Sequence, residues 1–258
     1  MPATAIVTGA SSGLGQEFAR IHAATGGRVI LTARREPELL ALKQELEDRH
    51  GTEVHVFPAD LGQPGAAEEL YAAVRAAGLA PEILINNAGF GGQGKFVERD
   101  LSRHLAMIDV NIKALMVLTY LFGRDMAGRG AGRILNVGST AGFLPGPQQA
   151  AYFASKAFVN SFSQAIDQEL RPRGVTCTVL APGYVETGFA SAADMEGTAM
   201  VKAGGADAPT VAKMGYDAMM EGRLVKINSA ALNFALTWIV PLLPRRMVLR
   251  LAERTQSK

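Results

Sequence analysis

Tyr152 and Lys156 stand four residues apart in a stretch of helical composition, Ala151 to Leu170, so their side chains share one face about one turn apart. A phenol beside an ammonium is a proton-transfer pair. A free tyrosine ionises near pH ~10, too high for efficient proton exchange near neutrality, and a neighbouring cation favours the phenolate. Ser139, just after an apolar run, adds a hydroxyl able to hold a reacting oxygen, and Asn111 adds an amide inside the long helical stretch Leu101 to Met126. Each has an ordinary alternative. Tyr and Lys at this spacing also occur as simple packing with a snorkelling cation, a serine after a strand often forms a turn, and an asparagine in a helix is often merely exposed. The choice depends on whether other elements bring the four together.

The run Thr8-Gly9-Ala10-Ser11-Ser12-Gly13-Leu14-Gly15 supplies that context, because it links the first β-branched segment to a helical one. Glycines in a strand-to-helix turn let the backbone approach a pyrophosphate, and the helix N-terminus offers free N–H groups and the positive end of its dipole. A glycine-rich turn of no special purpose is the alternative; its place after a first strand and before a helix favours the phosphate reading. The second strand-like run ends Thr32-Ala33-Arg34-Arg35. A site for NAD usually has an acidic side chain there for the ribose 2′-hydroxyl, whereas a guanidinium holds a 2′-phosphate through paired hydrogen bonds. With Ala33 in the acidic position, the expected cofactor is NADP(H), bound first by Arg34 and then by Arg35. The alternative leaves both arginines solvated, one of them paired with Glu36.

These residues need a frame. Ala5–Thr8, Arg28–Thr32, Glu53–Phe57, Ile83–Asn86, Arg133–Val137 and Val175–Leu180 read as strands, with a shorter seventh over Arg223–Ile227. Helical stretches lie between them: Leu14 to Ala24, Glu36 to His50, Gly65 to Ala77, Leu101 to Met126 and Ala151 to Leu170. Continuously apolar strands alternating with helices predict an α/β fold, a doubly wound parallel sheet of about seven strands with helices on both faces. No Pro-, Gly- or Ser-rich linker divides the 258 residues, so a single Rossmann-type domain over 1–258 is expected.

The glycine spacing, G-x-x-x-G-x-G, resembles the turn of the short-chain dehydrogenase/reductase family. The likeness continues in order through Asp60-Leu61, Asn86-Asn87-Ala88-Gly89, Asn111, Ser139, Tyr152-x-x-x-Lys156 and Pro182-Gly183, and spans about Ala3 to Thr187. It implies an enzyme moving a hydride directly between NADP(H) and a carbonyl or secondary alcohol, with no metal. Tyr152 would be the general acid/base. Lys156 would lower its pKa and hold the nicotinamide ribose, Ser139 would bind the substrate oxygen, and Asn111 would support a water linking Lys156 to solvent. Thr140 is placed to share the role of Ser139. Gly9, Ser11, Ser12, Gly13, Leu14, Gly15, Arg34, Arg35, Asp60, Leu61, Asn87, Ala88, Gly89, Tyr152, Lys156, Pro182, Gly183, Val185 and Thr187 are implied to line the cofactor.

Loops at the carboxyl ends of the strands hold Phe90, Phe143, Gln148, Gln149, Tyr184 and Phe189, a mostly apolar set that predicts a lipophilic or weakly polar substrate. The Ala-, Gly- and Met-rich segment 187–209 reads as a substrate lid. Residues 228–258 depart from the commonest family ending and resemble the reductases that close with a Pro-Arg-Arg helix. Such a helical extension could cover the cleft, a dimer partner or a membrane surface, with packing inside the protein or a dimer preferred. The uncharged stretch Ile227 to Leu243 is broken by Asn228, Ser229, Asn233, Thr237 and Pro241, which falls short of the ~20 apolar residues of a spanning helix.

A net charge of +2 excludes nucleic-acid binding through a general field of charge. The single cysteine, Cys177, excludes an internal disulfide, and the four histidines show no metal-ligand spacing. No basic segment followed by an apolar run opens the sequence, so no leader and a cytoplasmic location are expected. A homodimer or homotetramer is the family expectation. A binding protein for NADP(H) without catalysis is the alternative of different class. Within the enzymes, a 3-oxoacyl thioester reductase and a hydroxysteroid reductase are the candidates.

Overall fold

The computed structural model describes residues 3–257; Met1, Pro2 and Lys258, at the ends of the expected domain and extension, lie outside the described residues. The strands are β1 (Thr4–Thr8), β2 (Arg28–Thr32), β3 (Val54–Val56), β4 (Ile83–Asn86), β5 (Gly132–Val137), β6 (Val175–Leu180), β7 (Val185–Glu186), β8 (Ala206–Asp207) and β9 (Val225–Lys226). The helices are α1 (Gly13–Ala24), α2 (Glu36–His50), α3 (Ala66–Ala76), α4 (Leu101–Ile108), α5 (Leu115–Arg129), α6 (Ala150–Leu170), α7 (Phe189–Ala192), α8 (Ala199–Lys202), α9 (Ala208–Met220), α10 (Ala230–Phe234) and α11 (Arg245–Gln256). Seven strands form one parallel sheet in the order β3-β2-β1-β4-β5-β6-β9. The chain runs outward in both directions from β1 and β4, so their carboxyl ends open the crevice where such sheets bind ligands.

Alternation along each central strand feeds two cores. Ala5, Val7, Val29, Leu31, Ile83 and Ile85 join Phe18 of α1, Leu39 of α2 and Val211 of α9 on one face. Ile6, Ile30 and Leu84 join Leu70 and Val74 of α3 and Leu118, Phe122 and Met126 of α5 on the other. The period of two sends neighbouring side chains to opposite faces, and each fully buried large residue contributes about 1.5–3 kcal/mol. Both faces being covered explains why these strands read as unbroken apolar runs.

Three elements differ from the sequence reading. The expected helix Leu101 to Met126 contains a wide turn over Asp109–Ala114, with i→i+5 geometry, and continues to Arg129. By length and composition Leu101–Arg129 could cross a membrane, yet its inner face packs on the sheet through Leu115, Leu118 and Phe122. The seventh strand shrinks to Val225–Lys226, which pairs only with the end of β6. Segment 187–209 is more ordered than its composition suggests: it holds α7 and α8, and β8 pairs with β7 in a separate two-stranded sheet. The extension folds as α10, a second wide turn over Ala235–Ile239, a short 3₁₀ turn and α11.

Candidate active site

The β1–α1 turn is locked to the β4 loop by hydrogen bonds. Thr8 Oγ1 accepts from the backbone N–H groups of Asn87 and Ala88, each at 2.9 Å, and Asn87 Nδ2 donates to Thr8 O at 2.9 Å. Gly9 turns with φ +66°, and a Cβ there would lie 2.8 Å from Asn87 Nδ2. A Cβ on Gly15 would lie 2.2 Å from Gly9 O, so α1 can sit this close to β1 only without a side chain there. Ser12 precedes α1 in extended backbone, and its side chain accepts none of the helix's first N–H groups. Free N–H groups above a glycine cradle fit a pyrophosphate. Leu14 is half-buried and packs against the core beneath the turn.

Further along the crevice, Asp60 folds its carboxylate onto Gly62 N at 3.1 Å, and Leu61 is buried in the core under α5. At the end of β2, Arg35 Nη2 donates to Ser11 Oγ at 3.0 Å and to Ser11 O at 3.2 Å. Its Nη1 lies 3.4 Å from Glu38 Oε1. Arg34 is exposed. The chain leaves β2 with Arg35 directed at Ser11 of the turn, beside the exposed Arg34.

Asn111 sits in the wide turn, 1% exposed. Its Oδ1 accepts from Phe90 N at 3.1 Å, and its Nδ2 donates to Phe90 O at 3.0 Å and to Ser155 Oγ at 3.1 Å. The loop after β4 is thereby pinned to α6. A Cβ on Gly89 would meet Asn111 Oδ1 at 3.0 Å and Lys156 Nζ at 3.6 Å, so this amide and this ammonium border the same gap.

Ser139 starts a short 3₁₀ turn after β5. Its Oγ accepts from Ala141 N at 3.1 Å and donates weakly to Pro182 O at 3.4 Å. Thr140 shares that acceptor: its Oγ1 donates to Pro182 O at 3.2 Å. Asn160, which sequence reasoning missed, seats Ser139 by donating from Nδ2 to Ser139 O at 2.9 Å and by facing Ser139 N at 3.4 Å. The signal was available, since Asn160 follows Lys156 by four residues and so repeats the face of Tyr152 and Lys156.

Lys156 Nζ donates to Val137 O at 2.7 Å and stands 5.9 Å from the centroid of the Tyr152 ring. Burial lowers its ammonium to about 8. Burial also pushes the Tyr152 phenol up to about 12, opposed by the Ser139 hydroxyl, which favours the phenolate. Loss of water around the phenol outweighs its neighbours, and the ammonium is turned onto the Val137 carbonyl.

The remaining residues form the cover. Gly183 N donates to Asn228 Oδ1 at 3.0 Å, and a Cβ on Gly183 would meet Leu232 of α10 at 3.2 Å, so the extension packs on the Pro182-Gly183 turn. Val185 is buried and enters β7. Thr187 lies over the glycine turn, its Cγ2 3.1 Å from where a Gly13 Cβ would be. Phe189 covers Tyr152, ring centroids 5.6 Å apart. Tyr184 and Phe189 pack against the small buried cluster of Ala190, Ala193 and Met195. Phe143 turns instead to the extension, beside Leu236 and Val240. A cleft of about 540 Å³ lies beside α6 between Phe143, Phe153, Ala157, Arg245 and Leu249, and Tyr152 does not line it. Phe90 stands beside Asn111, and Gln149 bonds to Gln256 of α11.

A phosphate cradle and a proton donor on opposite walls of the crevice at β1 and β4 define an oxidoreductase that works with a nicotinamide dinucleotide. Residues 3–196 match the family described as short chain dehydrogenase, and the chain belongs to that family. It is 35% identical over 191 residues to a very-long-chain 3-oxoacyl-CoA reductase of Anas platyrhynchos, covering 72% of this chain and 60% of that protein's length. It is similar to a short-chain dehydrogenase from Sphingobium yanoikuyae in complex with NADPH, with TM-score 0.82, 29% identity and coverage of 95% and 97%. It is also similar to a short chain dehydrogenase/reductase from Burkholderia phymatum in complex with NAD, with TM-score 0.82, 27% identity and coverage of 100% and 97%. Family membership and the retained Ser139, Tyr152 and Lys156 set aside the reading as a binding protein without catalysis.

Proposed function

We propose that the protein reduces a lipophilic carbonyl compound with NADPH, and that Tyr152 gives the proton to the nascent alcohol oxygen. The observation that carries this reading is Tyr152, held between Ser139 and Phe189 in the same crevice as the glycine turn. When bound, the nicotinamide supplies or accepts the hydride. Ser139 Oγ, seated by Asn160, holds the reacting oxygen beside the phenol. Lys156 replenishes the proton, and Asn111, bordering the same gap at Gly89, supports the path to solvent. The phenyl ring of Phe189 excludes water from the reacting centre and favours apolar substrates. A long-chain 3-oxoacyl thioester or a steroid ketone fits that wall. The test is oxidation of NADPH against ketones, aldehydes, steroids and 3-oxoacyl thioesters; turnover confined to small charged carbonyls would defeat the proposal.

The preference for NADPH rests on this chain's own residues, since the two similar structures carry different cofactors. Arg35 is fastened to Ser11 of the turn, Arg34 is exposed beside it, and Ala33 offers no carboxylate to repel a 2′-phosphate. Arg34→Asp and Arg35→Asp should each raise KM for NADPH by about tenfold or more, while NADH is affected much less, because a charge-assisted phosphate contact contributes roughly 1.5–3 kcal/mol. A ratio of NADPH to NADH efficiency that stays constant in both variants counts against NADP(H).

The phenol near 12 sets the pH dependence. Its protonated form, required for reduction, persists throughout the neutral range. Oxidation needs the phenolate, whose fraction rises as pH approaches the pKa from below. At saturating cofactor, kcat/KM for reduction should therefore be level between roughly pH 6 and 8, and that for alcohol oxidation should climb by about tenfold per pH unit over the same interval. Stopped assays in both directions across that range check the sign; an oxidation rate that falls with pH would contradict it.

A further inference from the structure

Four glutamines gather beside the catalytic helix, two of them, Gln148 and Gln149, from the loop expected to meet the substrate. Gln93 lies in the loop after β4, Gln148 and Gln149 lie just before α6, and Gln256 ends α11. Gln256 is 3% exposed and Gln149 2% exposed, unusual values for this residue type. Gln149 Nε2 donates to Gln256 Oε1, and Gln93 Nε2 donates to the Gln256 carbonyl and, at 2.9 Å, to Gln148 Oε1. Gln148 Nε2 reaches Ser257 Oγ at 3.2 Å, while Ala199 N, at the start of α8, donates to Ser257 O at 3.4 Å. The same loop holds the lid from its other side: Gln93 N donates to Ala193 O at 2.8 Å, and Arg99 Nη2 lies 3.6 Å from Asp194 Oδ2.

Two adjacent residues at the end of α11, Gln256 and Ser257, thus join the β4 loop, the start of the helix that carries Tyr152, and the segment that covers Tyr152. We propose that Gln256 is a positioning residue: its side-chain amide, held by Gln149, and its carbonyl, held by Gln93, latch the end of α11 beside the lid, and release of this latch governs access to the substrate site. The inference rests on the reading of 187–209 as a lid over Tyr152. The latch is built to open. Its contacts are amides, with no buried charge pair, and the Oε1 atoms of Gln93 and Gln149 remain without a partner. Val248 and Ala252 are the fully buried apolar residues elsewhere along α11, with Leu249 half-buried, while Arg245, Arg246, Met247, Arg250 and Leu251 are exposed. A helix so lightly anchored depends on its terminal contacts.

The test uses the full-length chain with Gln256→Ala and the milder Gln256→Asn, and limited digestion with trypsin at Lys202, which is exposed in α8 and becomes a substrate when the lid opens. Cleavage after Lys202 should accelerate by about tenfold in Gln256→Ala and less in Gln256→Asn, because protease access follows the population of the open state. KM for the carbonyl should rise by about fivefold with kcat unchanged or higher, and Kd for NADPH, read by fluorescence, should stay within about twofold. Cleavage and KM that both match the wild type would overturn the latch. So would a loss of NADPH binding in proportion to the rise in KM, which would mark general loosening of the fold. Digestion needs no turnover, so the latch and the reductase reading can fail separately.

Discussion

Replacing Tyr152 with phenylalanine is expected to lower kcat/KM for carbonyl reduction by about 10³-fold, within the range that general acid catalysis supplies. The substitution removes one oxygen and little else. The ring keeps its place between Phe153 and Phe189, at centroid distances of 6.2 and 5.6 Å. Ser139 Oγ keeps Ala141 N and Pro182 O, and Lys156 Nζ keeps Val137 O, so neither neighbour is left unpaired. Removal of a phenol that is costly to ionise in this site should not destabilise the fold. Cofactor affinity should change by less than about threefold, because the glycine turn lies on the opposite wall. Steady-state kinetics together with NADPH titration separate the two quantities. A Tyr152→Phe enzyme within tenfold of the wild type would mean that another group delivers the proton.

Gly15→Ala should abolish cofactor binding at practical concentrations. The added methyl would stand 2.2 Å from Gly9 O, 2.8 Å from Gly9 C and 2.7 Å from Asn87 Nδ2. Two of these three are backbone atoms and cannot swing aside. Helix α1 must retreat from β1, which moves its N–H groups away from the phosphate and strains the Asn87 contacts with Thr8 and Gly9. Overpacking of this kind costs about 1–3 kcal/mol, or roughly 2–10 °C in Tm for a chain of this size. Gly26→Ala is the control for an added methyl without a clash. Gly26, unlike Gly15, turns with positive φ, +79°, and a Cβ there meets nothing within 4 Å. It should cost about 1 kcal/mol of backbone strain and leave NADPH affinity unchanged. Calorimetry and titration on both variants distinguish a phosphate cradle from a turn that is merely tight. Equal affinities in the two would argue for the latter.

The frame was legible because the residues that build it are locally informative. β2, β4 and β6 coincide with their apolar runs, and α2 ends where Gly51 takes φ +62°. The chemical set was legible because Tyr152, Lys156, the glycine turn and the Asn87 loop are each compact in sequence. What stayed hidden depends on distant contacts. The wide turn at Asp109–Ala114 leaves the apolar composition of its helix unchanged and shows only in the backbone. Nothing in the spacing of Gln93, Gln149 and Gln256 announces that they meet. The direction of the Tyr152 shift depends on how completely water is removed, which residue types alone do not state. The choice between Arg34 and Arg35 depends on how the chain leaves β2, a matter of one residue.

Helix α6 carries Tyr152, Lys156 and Asn160 on one face, across about 12 Å of axis at the usual rise per residue. A rod of this kind works as a ruler. The spacing between the proton donor, the cation and the group that seats Ser139 is set by helical geometry and cannot drift when a neighbouring loop changes. Diversity of substrate is then free to accumulate in the other walls, in the β4 loop, the lid and the closing helix, whose shapes can be altered without recalibrating the chemistry. In such an architecture descendants acquire new specificities by replacing the walls and inherit the ruler intact.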